Sequence, residues 1–320
     1  MRAVLGIDTS CYTTSAALVS PEGELIASSR RLLAVAEGER GLQQSQGLFQ
    51  HVKNLPEMIE RVMEDAPDVQ IVAVCASTRP RPVEDSYMPV FRAGESQAHA
   101  AAAMLRVPFY AVSHQEGHVK AALVHSGIDE QIPFLALHLS GGTTEMLLCD
   151  YGQMTLLGGS LDLHAGQLID RTGVRMNTGF PAGPALERLA MLGHPESLIG
   201  VSVKGMNCNL AGAENIAAKW LEQGAMPREQ IAAEIFDFVA RTIVRMVEAA
   251  CEETGTKQAL LAGGVASSML LREMIDRRAK KRRLNCRICY ARPELSGDNA
   301  VGVALLGAQR YREESIQAPV

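Results

Sequence analysis

The chain has few aromatic residues, no long apolar run and a thinly spread, odd number of cysteines. Phe, Trp and Tyr together make up only 4% of the 320 residues, which argues against a platform that stacks the bases of single-stranded nucleic acid. No stretch approaches the ~20 apolar residues that a membrane-spanning helix needs, so a membrane is not expected as a partner. Seven scattered cysteines and the lack of a signal-peptide pattern predict a cytoplasmic protein with reduced thiols.

Two of the cysteines form a Cys-x-x-Cys pair, Cys286 and Cys289. They lie in a predicted strand, where a spacing of three directs the two side chains to opposite faces. Without a second such pair, the motif is a weak indication of a zinc site.

The composition is that of a folded protein, with 47% apolar and 21% charged residues. A chain of 320 residues exceeds what one hydrophobic core usually organises, so two domains are expected. The net charge of −5 argues against a surface that attracts nucleic acid as a whole.

One short segment is an exception to this charge balance. Six cations lie within seven residues, namely Arg277, Arg278, Lys280, Lys281, Arg282 and Arg283. They are interpreted either as a solvated helix end that complements the helix dipole or as a contact for RNA phosphates.

A pattern near the start of the chain recurs in its middle. Residues 5–19 and 135–149 both read as an apolar run, a polar turn and a second apolar run. Three positions align without a gap, pairing Ser10 with Ser140, Thr13 with Thr143 and Thr14 with Thr144. A hairpin with Ser, Thr and Gly at its tip offers backbone N–H groups and hydroxyls to an anion. The alternative is two unrelated hairpins that share these residues because turns favour them.

The repeated hairpins predict the fold class. Three meandering strands followed by alternating helices and strands in each half indicate an α/β protein with a duplicated ribonuclease-H-like architecture. This is the actin-like arrangement, also found in sugar kinases, in which a nucleotide lies in an interdomain cleft. The expected domains are 1–112 with 297–320, and 113–296.

Two histidines form a candidate metal site. Ser113 followed by Glu116 is a capping-box pattern and predicts a helix that begins at His114. His114 and His118 then share one helical face, a spacing suited to a divalent metal. The alternative is a pair of surface histidines near a helix start. Asp298 is the best carboxylate candidate, although it is also typical of a helix N-cap.

Two Gly-Gly pairs, at 141–142 and 263–264, mark places where the backbone can approach a ligand closely. Asp170 and Gly183 are suited to a ribose or a base, or else to a surface charge and a turn. The residues by themselves leave both alternatives open.

Eight short motifs occur in one order along nearly the whole chain. They are Leu-Gly-Ile-Asp-Thr-Ser-Cys at 5–11, Ser-His-Gln-Glu-Gly-His at 113–118, Ser-Gly-Gly at 140–142, Asp170, Phe-Pro-Ala-Gly-Pro at 180–184, Leu-Ala-Gly-Gly-Val at 261–265, Tyr-Ala-Arg-Pro at 290–293 and Asp298-Asn299. Their order and spacing resemble the tRNA threonylcarbamoyladenosine transferase (TsaD) family. The resemblance implies an actin-like fold and transfer of a threonylcarbamoyl group from its adenylate to N6 of adenosine 37 in tRNA.

The resemblance also implies ligands. By position, the family's metal ligands fall on His114, His118 and Asp298, and iron or zinc would clamp phosphate and carbonyl oxygens. His138 stands where archaeal members have a ligating tyrosine, and is either a further ligand or a structural histidine. ATP or the threonylcarbamoyl adenylate is expected at Ser140, Gly141, Gly142, Thr143, Thr144, Asp170, Gly183, Glu187, Gly263, Gly264 and Ser268. The implied partners are tRNA, at the basic segment 277–283, and a subunit of the same modification pathway.

Some positions depart from the family pattern. The family's Cys-Asp-Glu-Thr is here Cys11-Tyr-Thr-Thr14, so Tyr12 and Thr13 replace an acidic pair near the reaction centre. Ser268 replaces an asparagine, and a segment with prolines at 78–85 replaces a Gly-Pro-Gly-Leu loop. The ligands for metal and phosphate survive better than the residues expected to support transfer, which indicates a diverged paralogue.

Three functions are therefore considered. The first is threonylcarbamoyl transfer to tRNA, and the second is a regulatory or scaffolding paralogue that binds metal and nucleotide without transfer. The third is a metallopeptidase with Glu116 as general base, although this glutamate lacks the His-Glu-x-x-His spacing.

Overall fold

The computed structural model describes residues 1–10, 12–35, 42–297 and 300–317. The chain divides into two compact units, Met1–Val124 with Gly297–Val320 and His125–Ser296. Within the described part of the chain, no helix is both long and apolar enough to cross a bilayer.

The first unit is built on a five-stranded mixed sheet of order β3-β2-β1-β4-β5. Its strands are β1 (Arg2–Ser10), β2 (Thr13–Val19), β3 (Leu25–Leu32), β4 (Gln70–Arg79) and β5 (Phe109–Ser113). Its helices are α1 (Gln44–Glu64), α2 (Phe91–Leu105), α3 (His114–Leu123) and α9 (Val301–Gln317). β1 to β3 form an antiparallel meander, and β4 and β5 add in parallel. β1 is buried after its first residue, as expected of a central strand covered on both faces.

The second unit repeats this topology. Its main strands are β6 (Phe134–Leu139), β7 (Thr144–Asp150), β8 (Gln153–Gly159), β11 (Gln258–Ala262) and β12 (Arg287–Tyr290), in the order β8-β7-β6-β11-β12. Its helices are α4 (Ala165–Arg175), α5 (Gly183–Ala190), α6 (Ala211–Gln223), α7 (Arg228–Thr254) and α8 (Met269–Arg282). The hairpins β1–β2 and β6–β7 occupy equivalent places in the two sheets. The predicted duplicated α/β architecture is confirmed, and the alternative of unrelated hairpins is wrong.

Helix α3 belongs to the first unit, whereas the sequence placed it at the start of the second. The boundary lies after Val124 instead of after Val112 because α3 packs on α9. Gly302 faces the carbonyl of Gly117 so closely that a Cβ would collide with it. A Cβ at Gly117 would lie 3.0 Å from Val303 Cγ2. Glycine on both helices permits this close approach.

Helix α7 organises the core of the second unit. It runs for 27 residues, with Pro227 as N-cap and Gly255 (φ +72°) as the left-handed C-cap. Proline and glycine are the residue types that mark these two ends of a helix in a sequence. Most of the helix is buried. Its buried Glu234 accepts hydrogen bonds from the N–H groups of Glu196 (2.5 Å) and Leu198 (2.8 Å), so this carboxylate holds the loop before β9.

A small hairpin, β9 (Ser202–Lys204) and β10 (Asn207–Asn209), was not predicted. Strands of three residues are too short for an alternating pattern to stand out. Helix α8 begins only at Met269, because the preceding residues Val265–Ser267 form a 3-10 turn.

Candidate functional site

The turn between β6 and β7 is a small polar loop. The Ser140 N–H donates to the carbonyl of Thr143 (2.8 Å), and the Gly142 N–H donates to Ser140 Oγ (3.3 Å). A Cβ at Gly141 or Gly142 would meet nothing within 4 Å among the described residues. The loop backbone is therefore accessible to a ligand.

Helix α4 begins against this turn. The Gly166 N–H donates to the carbonyl of Ser140 (3.1 Å), and a Cβ at Gly166 would lie only 2.7 Å from Gly141 N. Thr144 Oγ1 accepts the Ala165 N–H (2.8 Å) and so caps the first turn of the helix. The positive end of the helix dipole thus lies beside the loop, an arrangement that favours an anion.

A cavity of about 380 Å³ lies wholly within the second unit, beside the turn and the start of α4. Its volume falls in the range of about 300–1,000 Å³ typical of small-molecule sites. Seven residues predicted to bind a nucleotide line it: Ser140, Gly141, Asp170, Gly183, Glu187, Gly264 and Ser268. Much of the remaining lining is apolar, from Ile169, Pro181, Pro184, Phe236 and Val265.

Two carboxylates face this cavity with one oxygen each already engaged. Asp170 Oδ1 accepts the Ala182 N–H (2.8 Å), which fixes the start of α5. Glu187 Oε1 accepts the Ser268 hydroxyl (2.7 Å) and the Leu270 N–H (2.9 Å). Within the described residues the second oxygen of each carboxylate makes no hydrogen bond. These two oxygens can accept hydrogen bonds from hydroxyl groups of a ligand.

The turn after β11 leads into a further part of the lining, at Gly264, Val265, Ser267 and Ser268. Gly263 has a φ of +96°, and a Cβ there would collide with the carbonyl of Leu139. Ser268 is the N-cap of α8, because its Oγ accepts the Leu271 N–H (3.1 Å) while donating to Glu187. Ser268, which replaces the family's asparagine, therefore joins the start of α8 to α5 through one accepted and one donated hydrogen bond.

Four residues of the predicted nucleotide set do not line the cavity: Gly142, Thr143, Thr144 and Gly263. Thr144 is buried and caps α4, and Gly263 lies against β6. These four residues belong to the turns after β6 and β11 or directly follow them. Their contact with a nucleotide stays a prediction.

The histidine pair lies in the first unit, at the start of α3. The predicted capping box is present, since Ser113 Oγ accepts the Glu116 N–H (3.2 Å) and Glu116 Oε2 accepts the Ser113 N–H (2.6 Å). The helix begins at His114 as predicted. The imidazole centroids of His114 and His118 are 4.2 Å apart, with the rings at 73°. Both histidines therefore present their rings at one place on the helix.

Asp8, two residues before the end of β1, orients His114. Its Oδ1 accepts the Nδ1–H of His114 (3.0 Å) and the hydroxyl of Ser77. Its Oδ2 is buried and has no hydrogen-bond partner in the part of the chain that the structure describes. A buried carboxylate that is only partly paired is unfavourable unless positive charge lies close to it. A cation held by His114 would supply that charge, so these residues fit a metal.

The third predicted metal ligand, Asp298, lies outside the described residues. Among residues 1–10, 12–35, 42–297 and 300–317, no group of three or more His, Cys, Asp or Glu side chains is arranged to hold a metal ion. His138 is half-buried on β6 of the second unit, and its role as a further ligand stays a prediction.

The basic segment forms the C-terminal part of α8, and its cations differ in their surroundings. Arg278 is paired with the buried Asp237 (2.5 Å), and Arg282 is paired with Glu248 (2.5 Å). The other four are exposed and form no ion pair with any described residue: Arg277, Lys280, Lys281 and Arg283.

Sequence reasoning missed two residues of the candidate site. Asp8 was part of a quoted motif, but its role beside His114 was not foreseen. A carboxylate directly after the apolar run Ala3–Ile7 was the available signal, because such a residue is buried only with partners. Phe236, in the middle of α7, carried no signal that distinguished it from other core residues.

Comparisons with known proteins identify the family of the chain. A sequence model of the TsaD family, described as tRNA N6-adenosine threonylcarbamoyltransferase, matches residues 47–305. The chain is 30% identical to the protein of that name from Ralstonia pickettii (strain 12J), over 98% of this chain and 93% of the relative. It is 29% identical to the protein of the same name from Methanopyrus kandleri, over 95% of this chain and 86% of that one.

Solved structures show the same fold at lower identity. T. kodakarensis HypF is similar with a TM-score of 0.62 and 16% identity, over 98% of this chain and 48% of that chain. Component A of the (R)-2-hydroxyglutaryl-CoA dehydratase of Acidaminococcus fermentans has a TM-score of 0.55 and 16% identity, over 98% and 100% of the two chains. These two likenesses concern the fold alone. With the family model matching most of the chain and a 30% identical relative matching nearly all of it, the chain belongs to the tRNA N6-adenosine threonylcarbamoyltransferase (TsaD) family.

Proposed function

We propose that this protein transfers a threonylcarbamoyl group from threonylcarbamoyl adenylate to N6 of adenosine 37 in tRNA. The observation that carries the proposal is the cavity of the second unit, where residues from four separate sequence motifs of the family converge. Family membership supplies the reaction, and the cavity supplies a place for the nucleotide part of the donor.

The nucleotide binds in this cavity with its phosphate at the β6–β7 turn. The backbone at Gly141 and the N-terminus of α4 stabilise the phosphate charge. The second oxygens of Asp170 and Glu187 accept hydrogen bonds from the ribose hydroxyls. The adenine ring lies against the apolar part of the lining. ATP occupies the same place as the adenylate because the two share these groups.

His114, His118 and Asp298 would hold a divalent metal ion, iron or zinc. When bound, it supplies Lewis-acid polarisation of carbonyl and phosphate oxygens. Asp8 acts as a positioning residue, because its hydrogen bond to Nδ1 of His114 would leave Nε2 to face the metal. His138 is proposed as a further ligand.

The metal proposal predicts that His114→Ala/His118→Ala protein loses its metal. Wild-type protein should contain about one ion per chain, and the double variant close to none, because two of the ligands are gone. Elemental analysis of purified protein measures this content. The control is His194→Ala, which removes an exposed histidine of the second unit. If the double variant keeps the metal content of the control, the metal binds at other residues.

The tRNA substrate contacts the four exposed cations of the basic segment. Arg277, Lys280, Lys281 and Arg283 can neutralise phosphates and release counterions, whereas Arg278 and Arg282 are engaged with carboxylates of the protein. The net charge of the whole chain is −5, so the contact depends on this local cluster of cations.

The metallopeptidase alternative is not favoured by the site. A general base needs a carboxylate that reaches a substrate water, but Glu116 uses its carboxylate to accept the Ser113 N–H at 2.6 Å. Removing the Glu116 side chain would break this half of the capping box of α3, which offers a structural reason for the glutamate.

The proposed function is tested by mass spectrometry of tRNA nucleosides from a strain whose only TsaD-family gene encodes this chain. We expect N6-threonylcarbamoyladenosine to be present, to disappear when the gene is removed, and to return with wild-type protein but not with His114→Ala/His118→Ala. Absence of the modified nucleoside in the starting strain, with nucleotide and metal binding intact, would instead support the non-transferring paralogue.

A further inference from the structure

A second cavity of the second unit lies beside α8 and the loop that follows α5. Its volume is about 220 Å³, below the range of about 300–1,000 Å³ that is typical of sites for drug-sized molecules. It is lined by His194 and Pro195 from the loop, Asp237 from α7, and Met274, Arg277 and Arg278 from α8. The cavity therefore has room for a small chemical group, and three of its side chains carry nitrogen donors.

The buried carboxylate of Asp237 fixes the position of two arginines. Its Oδ2 accepts a hydrogen bond from Arg241 Nε (2.7 Å), and its Oδ1 accepts from Arg278 Nε (3.1 Å) and Nη2 (2.5 Å). Nη2 of Arg278 also donates to Ser197 Oγ (2.6 Å). One carboxylate is thus shared by two guanidinium groups, so a net positive charge remains beside the cavity.

One nitrogen of Arg278 is left for a ligand. Nη1 makes no hydrogen bond with any residue that the structure describes, and it is not one of the buried polar atoms that lack a partner. It is therefore accessible, on a side chain that lines the cavity. Because Asp237 and Ser197 already hold the other two nitrogens, a ligand at Nη1 meets a guanidinium whose side-chain freedom is largely lost.

Arg277 and His194 complete the set of donors. Arg277 is exposed and forms no ion pair within the described part of the chain. The backbone of His194 is held by the Gln230 side chain, which donates to its carbonyl (2.7 Å) and accepts its N–H (3.1 Å). An imidazole ring can donate a hydrogen bond through one of its nitrogens. The cavity therefore has donors from a helix and from a loop that is tied to a second helix.

We propose that this cavity binds a phosphate group, whose oxygens accept hydrogen bonds from Arg277, Nη1 of Arg278 and the ring of His194. Guanidinium groups bind phosphate through charge-assisted hydrogen bonds, which are among the strongest in proteins. The two arginines that share Asp237 offset its negative charge, and Arg277 adds a further positive charge. The size of the cavity suits the phosphate group and excludes a whole nucleoside.

Two sources can supply this group, namely inorganic phosphate and the backbone of RNA. Lys280 and Lys281 follow Arg277 at the i+3 and i+4 positions of α8, so the three side chains are neighbours on the helix surface. An RNA chain with one phosphate in the cavity can therefore place further phosphates along α8. The RNA source rests on the proposed function, whereas the binding of inorganic phosphate does not.

The first arm of the test measures the binding of inorganic phosphate to the full-length protein by isothermal titration calorimetry. Arg277→Ala and Arg278→Lys should each weaken binding by roughly 10- to 100-fold, because each removes a charge-assisted hydrogen bond. Arg278→Lys keeps a cation beside Asp237 but has no Nη1. The control is Lys219→Ala, which removes an exposed cation of α6 that does not line the cavity and should leave the affinity unchanged. A phosphate bound at the β6–β7 turn would remain in all of these variants.

The second arm measures the binding of a tRNA transcript by fluorescence anisotropy at several KCl concentrations. If the phosphate group belongs to RNA, both cavity variants bind the transcript more weakly than the wild type. Arg277→Ala should also lower the slope of log K against log salt by about 1, since one phosphate contact is lost. Lys281→Ala, outside the cavity, should lower this slope while leaving the affinity for inorganic phosphate unchanged.

The two arms separate the outcomes. A loss of affinity for the transcript assigns the site to the RNA backbone, and a loss for inorganic phosphate alone assigns it to free phosphate. The proposal is overturned if Arg278→Lys binds both ligands as tightly as the wild type, or if the wild type binds neither. His194→Ala, which alters an exposed side chain, gives the same test if Arg278→Lys does not fold. Both arms measure binding, so a protein that does not transfer threonylcarbamoyl groups would still show the site.

Discussion

Gly141→Asp is expected to abolish the stabilisation that ATP gives this protein. Gly141 lines the cavity, and a Cβ at this position meets nothing within 4 Å among the described residues. The variant should therefore fold normally while placing a carboxylate where the phosphate binds. Two unit charges about 4 Å apart repel by about 4 kcal/mol at an effective dielectric of ~20. This corresponds to a Kd roughly 10³-fold weaker.

The measurement is the rise in melting temperature with increasing ATP, because a ligand that binds the native state stabilises it by mass action. Gly141→Ala, which adds a methyl group without charge, is the matched control and should keep most of the ATP effect. Gly142→Asp carries the same charge on a residue that does not line the cavity, so its loss should be smaller. If Gly141→Asp melts with the ATP dependence of the wild type, the phosphate does not bind at this turn.

Sequence patterns predicted those parts of the fold that depend on local signals. The repeated hairpins at β1–β2 and β6–β7 were recognisable because apolar runs and turn residues alternate over short distances. The ends of α7 were marked by Pro227 and Gly255. The place of α3 was not predictable in this way, because it depends on a contact between Gly117 and Gly302, which are far apart in sequence.

The same division applies to the candidate site. The β6–β7 turn was predicted from its own residues, and the capping-box pattern indicated the start of α3. The bond between Asp8 and His114 joins residues 106 positions apart, and no local pattern indicates such a pair. Ser268 was expected at the nucleoside by position, but its bonds to Glu187 and Leu271 depend on where α5 and α8 meet.

Threonylcarbamoyl transfer by this protein is expected to be slow, because Tyr12 and Thr13 stand where the family pattern has two acidic residues. Neither side chain carries a carboxylate. The Tyr12 side chain is 45% exposed, whereas Thr13 is 3% exposed. His51 does not replace them, since it is fully buried against Thr14 Oγ1 (2.8 Å) and burial lowers its pKa. Loss of a general acid or base typically lowers a rate by about 10²- to 10⁴-fold.

The rate is measured in single-turnover transfer to tRNA, next to a family member that carries the Asp-Glu pair. Tyr12→Asp is expected to raise the rate, because it restores a carboxylate at an exposed position without disturbing the core. Tyr12→Phe is the matched control and should leave the rate unchanged, since it keeps the ring and removes only the hydroxyl. Nucleotide and metal binding should be the same in the wild type, Tyr12→Asp and Tyr12→Phe, because Tyr12 is neither a nucleotide-binding nor a metal-binding residue of the proposed sites. Turnover by the wild-type chain equal to that of the family member would mean that transfer here does not depend on those carboxylates.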